Sequence, residues 1–288
     1  MCKEEDRQMS QESKDLAAKA QKFSGKQVGN LLMNNMLIII MVVAAIGIAI
    51  YRPGFVAPSS LINILSLTAA YLPAALGIAG CIVLTGTDLS AGRCVGLTAC
   101  VSASLLQSVE ASNKMWPNIG TLPVWLVIII AMLIGACVGA FNGFFVGKFK
   151  LHPFIVTLGT QLILYTLLLL YVQMGNNGGG TIGSLDASYT DFVRAPLFSI
   201  PAANGASIPI PRYVLYSIIL AAIMWFIWNK TTFGKNMFAL GSNEEAARVS
   251  GVNVLATTIA VFALAGALYG FTGFIEGARI GSNTANTG

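Results

Sequence analysis

Seven apolar runs follow one another along the chain, at 31–50, 61–86, 94–109, 122–147, 154–174, 213–228 and 254–275, and none contains a charged residue. A bilayer core about 30 Å thick needs about 20 helical residues at 1.5 Å each. The pattern therefore predicts an all-α fold, a polytopic transmembrane helix bundle of about seven spans. The runs at 94–109 and 213–228 are short, so each either borrows flanking residues or crosses only part of the membrane. Between the runs lie a polar, charged tail (1–30), an outer loop rich in Gly, Asn, Ser and Pro (175–212) and a cytoplasmic loop (229–253). Residues 31–288 are read as one transmembrane domain. No small-residue cleavage site follows the first run, so it is expected to stay as an anchor and not to leave as a signal peptide.

Composition strengthens this reading. Of 288 residues, 55% are hydrophobic and 10% are charged. Soluble domains carry roughly a quarter charged residues. The formal charge of +5 does not point to nucleic acid, because the basic residues are scattered among loops with no basic face. They set orientation instead. With the N-terminus in the cytoplasm, the inner segments hold most of the Lys and Arg, whereas only Arg52, Lys114, Arg194, Arg212 and Arg279 fall outside. The positive-inside rule therefore places the N-terminus in the cytoplasm. Tyr213, Tyr216, Trp225 and Trp228 bracket the sixth run as interfacial aromatics do.

Catalytic and metal chemistry find little support. The five cysteines include no CxxC pair, and four lie in apolar runs where Cys acts as a small hydrophobe. His152 is the only histidine, so no metal site is expected. No cluster of His, Cys and acids suggests an enzyme. The chain has no GxxxxGK[ST] motif to cradle nucleotide phosphates. Any energy source is then an ion gradient or another subunit.

Two polar groups interrupt the apolar pattern. Thr85, Thr87, Asp88, Ser90 and Arg93 sit together between the second and third runs, after a helix loosened by Pro73, Gly77 and Gly80. They read either as a broken helix, with Asp88 and Arg93 paired or lining a path, or as a solvated cytoplasmic turn. Glu276 and Arg279 stand at i, i+3 and can touch, most simply as a surface ion pair of little energetic weight. Asn142 can bond across helices.

Glycines mark two faces. Gly135, Gly139, Gly143 and Gly147 form one stripe, and Gly266, Gly270, Gly273 and Gly277 another. Such stripes let helices pack closely or slide. In the cytoplasmic loop, Ser242-Asn243-Glu244-Glu245 fits a capping box with Ser242 as N-cap, followed by Ala246, Ala247 and Arg248 and a stop at Gly251. A helix of about two turns is too short to stand alone. It must dock, on its own bundle or on a partner.

Four segments carry a resemblance to a known family: TGTDLSAGR (85–93), NGFFVGKFKLHPFIVTLGT (142–160), WNKTTFGKNMFALGSNEEAARVSGVNV (228–254) and EGARIGSNT (276–284). The chain resembles, from about residue 35 onward, the membrane permease of galactose/methyl-galactoside ABC importers, within the branched group that includes ribose and xylose permeases. The resemblance implies a homodimeric permease with no cofactor of its own. Two cytoplasmic ATP-binding subunits would bind the ATP, and an extracytoplasmic sugar-binding protein would deliver substrate. It also implies that Gly241 to Arg248 with Gly251 form the coupling element. Thr85, Thr87, Asp88, Ser90, Arg93, Asn142, Glu276 and Arg279 would shape the path or gate. Family members continue through further helices beyond the position of Gly288, so the chain is expected to be C-terminally truncated. A gradient-driven transporter or channel, and a non-functional remnant, are the competing readings.

Overall fold

The computed structural model describes residues 33–201 and 207–288, so the charged tail expected at 1–30 lies outside the described residues. The chain divides into two compact units, residues 1–60 and 61–288. In the first, apolar helix α1 (Met36–Tyr51) is followed by a 3-10 turn at Pro53–Val56 and the first residues of α2 (Pro58–Val83). Ser60 Oγ donates to the Gly54 carbonyl at 2.8 Å and closes this corner.

The second unit holds the rest of α2, then α3 (Ala91–Leu105), α4 (Val124–Phe149), α5 (Pro153–Gln173), α6 (Ala187–Arg194), α7 (Arg212–Lys230), α8 (Thr232–Ser242), α9 (Glu244–Val249) and α10 (Val254–Ile280). Five of these, α2, α4, α5, α7 and α10, are long and apolar enough to cross a bilayer, and α1 and α3 are shorter apolar helices. The chain is a multi-pass membrane protein. The sixth run gains its full length from Arg212 and from Asn229 and Lys230 at its ends.

The glycine stripes explain the centre. α4 and α10 pack face to face, with Gly135 against the Gly266 backbone, Gly139 against Phe262, and Gly270 against Ala131. A Cβ at any of these positions would collide with backbone on the facing helix. Apolar tails give lipid and protein no difference in hydrophobicity, so close van der Waals contact has to hold the pair. The second stripe serves two partners. Gly273 and Gly277 turn away from α4 and meet Val95, Thr98 and Ala99 of α3.

α2 stays helical through Pro73, although its sequence suggests a loosened helix. Proline removes the hydrogen bond to the carbonyl four residues earlier. That carbonyl, Ala69 O, accepts instead from Ser217 Oγ of α7 at 2.6 Å. The freed group becomes a link between helices.

Over its described residues, the segment 175–212 holds more regular structure than the loop expected there. It begins with a turn at Gly175–Gly180, in which Asn177 Nδ2 donates to the Val172 and Gly180 carbonyls. Asp186 caps α6 by accepting from Ser188 N at 2.8 Å. Strands β1 (Pro196–Pro201) and β2 (Ser207–Pro211) then form an antiparallel hairpin, the one departure from an all-α fold among the described residues. Its alternation is hidden in sequence by four prolines at the strand ends and edges. α6 is tied to the bundle by Tyr189, whose hydroxyl donates to the Phe274 carbonyl at 2.5 Å. Burial raises the Tyr189 phenol well above its ordinary pKa, so it stays a donor throughout the neutral range.

Replacing Gly139 by Leu should cost about 3 kcal/mol or more, because backbone cannot move aside for the side chain. Gly159 of α5 has nothing within 4 Å of the point where a Cβ would stand. Gly159→Ala should therefore stay within about 1 kcal/mol of the parent, with helix propensity favouring it. Thermal unfolding of the two variants in one detergent checks both.

Candidate functional site

Between α2 and α3 the chain leaves the helix for seven residues, Leu84–Ser90. Thr85 adopts φ 58°, in the left-handed region, and its hydroxyl donates to the Leu84 carbonyl at 2.7 Å. This turn lies level with the end of α4 and the start of α5, since Leu84 and Thr85 share a cavity with Lys150, His152 and Pro153. Ser90 lies deeper. Its hydroxyl accepts from Asn142 Nδ2 at 2.9 Å, and Asn142 Oδ1 accepts from Thr160 Oγ1 at 2.6 Å. Asn142 precedes the end of α4 by two turns, and Thr160 follows the start of α5 by two turns. At 1.5 Å per residue, Ser90 is about 10 Å inside the helix ends.

This depth accounts for the shortness of α3. Its 15 residues rise about 22 Å, which together with the descending segment matches a 30 Å hydrocarbon core. α3 is a shorter apolar helix, and the segment Leu84–Ser90 before it supplies irregular backbone. Irregular backbone at that depth has to be buried in protein or face water.

The Leu84, Thr85 and Gly86 amides donate back to the Cys81 and Ile82 carbonyls of α2, and beyond them side chains take over. Leu89 N donates to Thr157 Oγ1 at 3.1 Å, and Thr157 Oγ1 donates to the Thr87 carbonyl at 3.2 Å. Asp88 Oδ1 accepts from Ser90 N at 2.9 Å and from Ser90 Oγ at 2.6 Å. Asp88 thus caps the start of α3 and orients the Ser90 hydroxyl. It is 4% exposed, so the reading of this segment as a solvated turn is corrected. The buried Tyr269 hydroxyl of α10 lies beside the Asp88 carboxylate and Cys81.

Asp88 and Arg93 do not pair. Arg93 lies on the next turn and directs its guanidinium over the Tyr165 ring of α5, 4.6 Å from the centroid. Desolvated cation–π contacts of this kind stabilise a cation that lacks a counter-ion. Thr85 and Thr87 are exposed, unlike Asp88 and Ser90. Thr157, Thr160, Tyr165 and Tyr269 belong to the site but carry no signal in a single sequence. They sit within apolar helices, where lone Thr and Tyr residues are unremarkable.

Glu276 and Arg279 form a separate centre, two turns outward from Tyr269 along α10. Arg279 Nε donates to both Glu276 oxygens at 3.0 Å, and its NH2 group lies 2.9 Å from Oε2. Glu276 is 1% exposed. The expectation of a surface ion pair is corrected, because burial removes the solvent that screens such pairs.

The segment between α7 and α10 differs from the form expected of it. It contains two helices, α8 and α9, and Ser242 ends the first. The Ser242 hydroxyl donates back to the Phe238 carbonyl at 2.9 Å, so it cannot serve as an N-cap. Asn243 takes that role and accepts from Ala246 N at 3.0 Å. Glu245 pairs loosely with Arg248 at 3.6 Å, and Glu244 binds Arg248 at 2.5 Å and Lys150 at 3.6 Å. Gly251, at φ 87°, closes α9. Val252 N reaches the Ala247 carbonyl and Gly251 N the Arg248 carbonyl, both at 3.0 Å. That is a Schellman end, which glycine alone adopts without strain.

α8 and α9 are seated on the bundle. Met237, Leu240 and Ala247 are buried, and Gly241 meets the Val83 carbonyl at the end of α2 so closely that no Cβ would fit. α9 keeps an outward face of Glu245, Ala246 and Val249, the last 89% exposed. Cys81, Cys94 and Cys100 are buried as small hydrophobes, and Cys137 is exposed.

Residues 60–288 match the family described as branched-chain amino acid transport system / permease component. The chain is 43% identical over 251 residues to the galactose/methyl galactoside import permease protein of Salmonella typhimurium, covering 87% of this chain and 72% of the relative. The Escherichia coli protein of the same description gives the same values. The ribose import permease protein of Haemophilus influenzae is 31% identical over 266 residues, covering 92% of this chain and 75% of the relative. No solved structure matches the chain.

Asn142→Leu removes two buried hydrogen bonds and should cost about 2 kcal/mol. Thr160→Val removes one of the same two. The double variant should therefore lose less than the sum of the singles, by about 1 kcal/mol. Unfolding of all three variants in mixed micelles checks the coupling.

Proposed function

Because the chain belongs to the family of branched-chain amino acid transport system / permease components, we propose that it is the membrane-spanning subunit of an ATP-driven importer for galactose, methyl galactoside or a related monosaccharide. ATP is hydrolysed on separate cytoplasmic subunits, and a soluble binding protein delivers the sugar from outside. The permease itself has no catalytic residue. The observation that carries this reading is 43% identity to two galactose/methyl galactoside import permeases over most of both chains.

The geometry supports a route for the energy. α9 presents Val249 and Glu245 outward while α8 sits on the end of α2 through Gly241. A push on α9 reaches Val83, and the irregular segment Leu84–Ser90 begins at the next residue. That segment carries Asp88, whose hydrogen bonds extend through Ser90 to α4 and α5. Closure of the ATP-binding subunits would thus shift the inner gate formed by Thr85 to Arg93, and Glu276 with Arg279 would line the outer part of the path. On this reading the N-terminus is cytoplasmic, α8–α9 face the cytoplasm, and a second copy of the chain completes the path.

Galactose uptake should require the ATP-binding subunit and survive an ionophore. Uptake that persists without that subunit and collapses with the ionophore would favour a gradient-driven carrier. Val249→Asp should leave the bundle folded, because the side chain is exposed, and lower both uptake and co-purification of the ATP-binding subunit. Wild-type levels of both would remove α9 from the coupling role.

A further inference from the structure

A second cavity, of about 250 Å³, opens between α2, α3 and α10, outward of Asp88. Its walls include Tyr71, Ala74 and Ile78 on one face of α2, Ala91 and Gly92 on α3, and Glu276 on α10. Small residues leave the space, and one aromatic ring and one carboxylate face it. Tyr71 is 45% exposed, although it lies 13 residues into α2 and therefore about 20 Å along that helix. The Arg279 guanidinium is held at both oxygens of Glu276 and stands over the Tyr71 ring, 5.9 Å from the centroid. The Tyr71 hydroxyl lies beside both charged groups. The Arg279 side chain is 30% exposed. Glu276, the carboxylate on the cavity wall, holds that guanidinium, so a charged pair borders a space whose other walls are largely apolar.

We infer that Tyr71, Glu276 and Arg279 form a low-affinity monosaccharide subsite on the path, a step beyond the importer reading on which it rests. A pyranose has an apolar face of C–H groups and an edge of hydroxyls. The half-exposed Tyr71 ring takes the first, and the second meets Glu276 on the wall and, at the Tyr71 hydroxyl, the edge of the guanidinium that Glu276 holds. The bidentate ion pair makes the charges mutually satisfied, so the site recognises neutral hydroxyls and does not demand a charged substrate. Apolar walls with few polar anchors are the usual make-up of a small-molecule site. Few anchors also mean weak binding, which suits a subsite that must release what it accepts.

The test uses the full chain in membrane vesicles, with Cys2→Ser and Cys137→Ser to silence background labelling and Ile78→Cys as the reporter. The remaining cysteines are buried. The rate of reaction with a small maleimide is measured with and without methyl galactoside and galactose. Labelling should slow about tenfold when the sugar stands at about ten times its dissociation constant. The protection should vanish in Tyr71→Ala and persist in Tyr71→Phe, which keeps the ring. Equal protection in Tyr71→Ala would remove the ring from any sugar contact and overturn the subsite. No protection at any sugar concentration, in vesicles whose ATP-dependent galactose uptake is intact, would overturn the subsite and leave the importer reading standing. Loss of both protection and monosaccharide uptake in the parent, with all partner subunits present, would overturn the two together.

Discussion

Seven residues of backbone leave the helical state between two apolar helices, and the amide and carbonyl groups of the buried part, around Asp88 and Ser90, have to find partners within the protein. Much of the second unit can be understood as an answer to that constraint. Leu89 N and the Thr87 carbonyl are satisfied by Thr157, and Ser90 N by Asp88. The Ser90 hydroxyl is joined through Asn142 to Thr160. Asp88 belongs to the segment itself, and the other partners come from α4 and α5, which are largely apolar helices. In an unsolvated interior every such group left open would cost several kcal/mol, so α4 and α5 must be held in register with the segment between α2 and α3.

The glycine contacts supply that register. Asn142 falls in sequence between Gly139 and Gly143, which lie against α10, and turns its amide to Ser90 and Thr160. Because backbone meets backbone along this seam, α4 cannot rotate or slide without collision, and Asn142 is presented to Ser90 from a fixed position. The same seam lets α10 place Tyr269 beside Asp88 and, two turns outward, Glu276 beside Tyr71. Proline takes part in the same economy of backbone groups, since Pro73 frees the Ala69 carbonyl that Ser217 then uses to bind α7 to α2. Gly241 brings α8 against the last turn of α2, so α8 and α9 share one support with the irregular segment.

The spans were legible because apolar runs and their lengths report directly on a bilayer. The glycine stripes were legible for a similar reason, since a four-residue spacing defines a helix face. Pairing within the polar clusters was not. The spacing of Asp88 and Arg93 suggests an ion pair, yet Asp88 turns to Ser90 and Arg93 to the Tyr165 ring, a partner remote in sequence. Burial of Glu276 was equally hidden, because the helices that cover it lie far away in the chain. Ser242 shows the limit of local patterns: a capping box was written in the sequence, but α8 runs through Ser242 and hands the cap to Asn243. The hairpin escaped notice because its prolines resemble loop residues until edge strands are considered.

Amide hydrogen exchange in a lipid nanodisc, resolved along residues 84–105, tests most directly whether the protein satisfies its irregular backbone from within. Leu89 and Ser90 amides, bonded to Thr157 and Asp88, should exchange as slowly as those of α3, and Asn142→Leu should speed them. Exchange of these amides at the rate of exposed loop positions in the parent protein would contradict the account, because water would then be meeting the groups that Thr157, Asp88 and Asn142 are held in place to meet.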